Sequence, residues 1–257
     1  MQTTIKIIDK PKLRKPVLIE GLPGIGNVGR VVAGYLISEL KMKKLAELYS
    51  PHFLPLVILQ ENSEVALLKN EFYYYKTKNE RDMIVLTGDT QSISPEGHYE
   101  VCEKILDFTE KHEISEIITL GGFAQGEMVQ EPKVIGAVNN AKMLKKYNKY
   151  NIDFGQEHSV GTIVGASGLL LGMAKLKDID AMCLMGETIG LPMVTDPKAA
   201  EKVLQVVTKI LGLKVDLSKI EKAVQEMEGK IKKTEKIHKN MLKEEIPKGK
   251  DDIRYIG

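Results

Sequence analysis

Gly24-Ile25-Gly26-Asn27-Val28-Gly29 has the G-x-G-x-x-G spacing that lets a backbone approach a pyrophosphate at the positive end of a helix. It follows an apolar run, Val17-Leu18-Ile19-Glu20, and opens an amphipathic one, as that use requires. Two features point the other way. Glu47, about where a ribose-binding acid is sought, stands just before Tyr49-Ser50-Pro51, in a connection and not at the end of a second strand, and Pro23 stiffens the turn. A tight strand-to-helix turn with close packing at Gly26 and Gly29 needs the same glycines for steric reasons alone. Three carboxylates, Glu20, Asp89 and Glu187, fall at the carboxyl ends of strand-like runs, where parallel-sheet enzymes place their sites. They could line one crevice, or each could cap the following helix or accept from loop amides.

Other chemistry finds little to work with. His52, His98, His112, His158 and His238 share no metal-ligand spacing, none sits beside a G-x-S-x-G elbow, and no stretch reads G-x-x-x-x-G-K-S/T. No metal site, catalytic triad, P-loop or cofactor is therefore expected. Cys102 and Cys183 read as reduced, buried thiols of a cytoplasmic protein. Basic residues (37) nearly balance acidic ones (35) and are interleaved with Glu, which argues against a nucleic-acid partner. The start of the chain does not read as a signal peptide, and the longest apolar run, Thr162 to Ala174, is too short to span a bilayer. Ile253, Tyr255, Ile256 and Gly257 form a different kind of candidate. They follow a Lys- and Glu-rich helical stretch and the Pro247-Lys248-Gly249-Lys250 linker, so they could either enter a partner's pocket or fold back over an apolar patch.

The elements that must position these groups alternate in type. Strands are predicted at Val17–Glu20, Phe53–Leu59 (with Pro55 marking an edge or bulge), Met83–Thr87, Ile114–Leu120, Val134–Val138 and Ala181–Glu187. Val65–Lys69 and Phe72–Lys76 read as a hairpin around Asn70-Glu71. Helices are predicted from Asn27 to Met42, from the Ser94-Pro95 cap to about Lys111, near Ala141 to Tyr147, over Thr162–Leu176, and from Asp196-Pro197 to the Gly212 stop. This alternation predicts a mostly parallel sheet covered on both faces, a core domain over residues 1–216. Ser218 and Glu221 form a capping box that opens residues 217–257, a long amphipathic helix followed by a flexible tail. Its seam is Leu217, Ile220, Val224, Met227, Ile231 and Met241, narrow enough to pack on its own domain or on another helix.

Several segments resemble the archaeal and eukaryotic proteasome assembly chaperone family. They are Gly21–Gly29, Thr87-Gly88-Asp89-Thr90-Gln91, Gly161–Leu170, Gly186-Glu187-Thr188 and Asp196-Pro197-Lys198-Ala199-Ala200, and the resemblance covers roughly residues 15–220. It implies a three-layer α/β/α sandwich similar to purine nucleoside phosphorylases, used as a non-enzymatic scaffold. It also implies self-association into a homo-oligomer and binding to the α subunits of the proteasome, as an assembly factor or an activator. Family tails that dock in the α-ring tend to end hydrophobic-Tyr-any residue, whereas Tyr255 stands third from the end, one place early. The reading from the residues alone remains beside it: a nucleotide- or nucleoside-binding enzyme of phosphorylase-like fold that uses the loop at 21–29.

Overall fold

The computed structural model describes residues 1–60, 62–127, 129–155, 161–190, 194–222 and 224–225. In chain order the elements are β1 (Thr4–Ile7), β2 (Val17–Glu20), α1 (Val28–Glu39), β3 (Lys43–Tyr49), β4 (Val57–Leu59), β5 (Val65–Leu67), β6 (Asn70–Tyr75) and β7 (Met83–Gly88). Then come α2 (Pro95–Lys111), β8 (Glu116–Ala124), β9 (Val134–Val138), α3 (Lys142–Tyr147), α4 (Ala166–Leu176), β10 (Ala181–Thr188) and α5 (Pro197–Leu211).

Near-continuous apolar runs in β2, β7, β8 and β10 mark strands buried on both faces, and these four form the parallel centre of an eight-stranded sheet. Alternate side chains serve opposite layers. Val17 and Ile19 pack into the cluster that holds α1 and α5, while Leu18 packs into the one that holds α2 and α4. Ser94 accepts from Gly97 N at 3.1 Å to start α2, Asp196 accepts from Ala199 N at 3.0 Å to start α5, and Gly212 ends α5 at φ +63°.

The sheet is not mostly parallel. Its order is β1-β3-β6-β7-β2-β8-β10-β9, and the pairs β1–β3, β3–β6, β6–β7 and β9–β10 are antiparallel. Residues 43–88 supply five strands with no helix between them, and a parallel neighbour needs a crossover of a dozen residues or more. The predicted hairpin does not form: Asn70 and Glu71 belong to β6, which pairs with β3 and β7, while β5 pairs with β4. The strand predicted from Phe53 begins only at Val57, and Glu47, placed in a connection by sequence, lies inside β3.

Past α5, Asp216 and not Ser218 makes the cap: its carboxylate accepts from Ser218 N at 3.0 Å and from Ser218 Oγ at 2.7 Å. Ile220 and Val224 are buried with α1 and α5, and Tyr35 of α1 donates its hydroxyl to the Asp216 carbonyl. The rest of the expected long helix and tail, including Met227, Ile231, Met241, Ile253, Tyr255, Ile256 and Gly257, lies outside the described residues.

Candidate functional site

The chain must turn from β2 into α1 within a few residues, and the glycines of the loop are where backbone meets backbone. A Cβ on Gly21 would sit 2.2 Å from the Gly29 carbonyl oxygen, and one on Gly29 would sit 2.3 Å from that of Leu120 in β8. Gly26 and Asn27 are both in the left-handed region, at φ +61° and +49°. Gly26 is pressed against Thr188 at the end of β10, and Gly122 lies beneath the carbonyl of Ile25. Gly24 alone is open: it is exposed and extended, with only the Gln91 amide near it. The turn therefore lies flat on the ends of β8 and β10, and close packing by itself demands Gly21, Gly26 and Gly29.

The three strand-end carboxylates are each held by a different segment. Glu20 is fully buried and accepts from Leu22 N at 3.1 Å and from Ser167 Oγ at 3.0 Å. Burial pushes its carboxyl up to about 7, against the pull of those hydrogen bonds. Asp89 accepts from Lys69 N at 3.1 Å, and burial raises it while that amide and the charge of Arg30 pull it down. Glu187 accepts from Gln125 Nε2 at 2.6 Å and Lys133 N at 2.9 Å, which ties the β8–β9 connection to β10. The carboxylates thus satisfy loop amides and side chains. Burial raises the thiols of Cys102 and Cys183 to about 12, with the nearby Glu20 adding to the effect, so both stay protonated and inert at neutral pH. Among the described residues no group of His, Cys, Asp and Glu is arranged to hold a metal ion, and no helix is long and apolar enough to cross a membrane.

The segments that resemble the family include the residues that join this cluster, but their spacing did not show the role of each as a bridge. Gln91 donates to the Pro23 carbonyl at 2.6 Å and accepts from Ala166 N at 2.9 Å, so one side chain bridges the glycine loop and the start of α4. Thr87 donates to the Gly21 carbonyl at 3.0 Å, and Asp196 N donates to the Gly26 carbonyl at 2.9 Å. The signal that marks them is the set of resembling segments itself, with Thr87 and Gln91 in one and Asp196 in another. Segments that are scattered from residue 20 to residue 200 in sequence thus meet at one end of the sheet.

Comparison with known proteins places this arrangement. The chain is 38% identical over 256 residues to the uncharacterised protein MJ1210 of Methanocaldococcus jannaschii, covering 99% of this chain and 97% of that protein. Its structure is similar to that of Pyrococcus furiosus PbaB, an archaeal proteasome activator, with a TM-score of 0.82 and 43% identity over 91% of this chain and 99% of that one. It is also similar to P. furiosus PbaA, an archaeal homolog of proteasome-assembly chaperone, with a TM-score of 0.74 and 26% identity over 93% and 99% of the two chains. The PAC2 family matches residues 18–235, and every segment that meets at the carboxyl ends of β2, β7, β8 and β10 falls within that span: the chain belongs to the PAC2 family.

Proposed function

We propose that the chain is a non-enzymatic cytoplasmic scaffold that self-associates and binds the α-ring of the proteasome, with Ile253, Tyr255, Ile256 and Gly257 as the contact. The observation that carries this reading is the 43% identity to the proteasome activator PbaB over nearly the whole of both chains. Identity to the assembly-chaperone homolog PbaA is 26%, which favours an activator-like role over assembly. The loop cluster supports a scaffold, because its carboxylates are occupied by loop contacts and its glycines by backbone. Several tails on one assembly raise the effective concentration of each, so individually weak contacts add up where the tether spans the pockets.

The enzyme reading has one observation in its favour, the Thr188 hydroxyl, buried beside Gly26 with no hydrogen-bond partner. A pull-down of proteasome α subunits with the full chain and with a chain lacking residues 251–257 tests the proposal. Binding by the full chain and its loss on truncation is expected. Equal binding by both would remove the tail from the mechanism, and binding by neither would remove the proteasome.

A further inference from the structure

β4 and β5 stand apart from the eight-stranded sheet as a two-stranded ribbon, with Val57 opposite Leu67, Ile58 opposite Ala66 and Leu59 opposite Val65. Strand alternation gives the ribbon two faces. Ile58 packs with Leu56 against the core on the α2 side and anchors it. The other face carries Val57, Leu59, Val65 and Leu67, which are 49%, 70%, 65% and 53% exposed. Gln60 N donates to the Glu64 carbonyl at 2.8 Å and Ser63 takes φ +64°, so a hydrogen-bonded turn closes the ribbon. Two strands alone are marginal in water, and the larger contiguous apolar patches on a protein surface are often functional.

We infer that this ribbon is a contact between two copies of the chain, packed face to face about a twofold axis. The inference rests on the self-association proposed above and names the surface responsible. The pattern of the face selects the occupant. Each strand contributes one Val and one Leu in the same order, Val57-x-Leu59 and Val65-x-Leu67, and antiparallel pairing sets them as a checkerboard. A second copy turned about an axis along the strands places every leucine over a valine: Leu59 over the second copy's Val65, and Leu67 over its Val57. Large over small lets two such faces interdigitate, and the contact is isologous, as a closed dimer requires. The face carries no charge, so nothing on it must be neutralised by a partner of another kind. Four side chains cover less than the roughly 800 Å² per partner of a standard interface, so the ribbon supplies the apolar centre of the contact and its neighbours the rim.

Sedimentation velocity on the full chain tests this, with two charge variants, Leu59→Glu/Leu67→Glu and Val57→Lys/Val65→Lys, at positions exposed enough to leave the fold intact by circular dichroism. The expected result is a wild type heavier than a monomer, each variant alone shifted to a smaller species, and an equimolar mixture that re-forms the larger one as Glu meets Lys across the axis. Wild-type mass in either variant would overturn the ribbon and leave self-association standing, whereas a monomeric wild type would overturn both. Loss of assembly with no recovery on mixing would overturn the face-to-face geometry. Variants that keep their mass but lose α-ring binding in the pull-down would assign the ribbon to the proteasome instead.

Discussion

Ser167, in the first turn of α4, donates its hydroxyl to Glu20 at the end of β2 across 3.0 Å, although the two are 147 residues apart in sequence. One buried carboxyl therefore anchors a helix on the α2 side to the central strand of the sheet.

That anchor has a pH signature. Folded Glu20 keeps its proton up to about pH 7, while the unfolded carboxyl loses it near 4.5, so the folded state binds more protons between these values. The stabilising contribution is fully present below about 4.5 and is lost as pH rises through about 7. Glu20→Gln resembles the protonated form, with its oxygen still accepting from Leu22 N. Denaturant titrations should show little change at pH 4 and a gain of about 3 kcal/mol at pH 8. Equal losses at both values would mean that the site requires a full carboxyl group for its shape alone.

The glycine loop distinguishes packing from ligand binding. Gly29→Ala drives a methyl into the Leu120 carbonyl and should cost roughly 3 kcal/mol, while Gly26→Ala is strained by its positive φ at about 1–2 kcal/mol. Gly24→Ala makes only an ordinary contact with Gln91 Nε2 at 3.9 Å and should stay within about 0.5 kcal/mol. Thermal melts with inorganic phosphate, nucleosides and nucleotides should not move the wild-type midpoint. A ligand-dependent rise abolished by Gly24→Ala would revive the enzyme reading.

Gln91→Leu leaves the Pro23 carbonyl and the Ala166 amide without their partner. A loss of about 2 kcal/mol is expected, together with faster hydrogen exchange at Ala166. Unchanged protection at Ala166 would show that the bridge does not hold α4 to the loop.

Tyr35→Phe removes the hydroxyl that holds the Asp216 carbonyl, at the proposed division between residues 1–216 and 217–257. Exchange over residues 216–225 should speed up by roughly tenfold, about 1.4 kcal/mol of local opening, with the global melt nearly unchanged. If local and global stability fall together, the segment is part of the core and the division at 216 is misplaced.

The strongest local signals were legible in the sequence. Val17–Glu20 and Val134–Val138 announce themselves by apolar run, and α2 and α5 by their Ser94-Pro95 and Asp196-Pro197 starts. β3 was not, for a physical reason. A bulge between Lys44 and Ala46 breaks its alternation, and Lys44 and Glu47 sit on a face of the sheet built from ion pairs with Lys69 and Glu71. There burial raises the Glu47 carboxyl, but hydrogen bonds from Lys69, Tyr49 and Lys44 outweigh it and hold the group at about 2. Missing β3 made the sheet look parallel, because β3, β6 and β7 follow one another across it as antiparallel neighbours with no helix between them among the described residues. At the loop cluster the glycine spacing was visible, and Gln91 and Ser167 lay in segments singled out by resemblance, but their bonds to Pro23, Ala166 and Glu20 were not, since a long-range hydrogen bond leaves no periodicity in the chain.

The strand order also bears on synthesis. β9 is translated before β10 yet pairs along its length only with it, apart from a single bridge between Ile135 and Asp153, and β10 lies between β9 and β8. Until residues 181–188 have left the ribosome, β8 keeps an open edge and β9 waits beside a gap. Among the described residues the last strand of the sheet is thus an inserted one, and a nascent chain that stops before Thr188 carries an unclosed core.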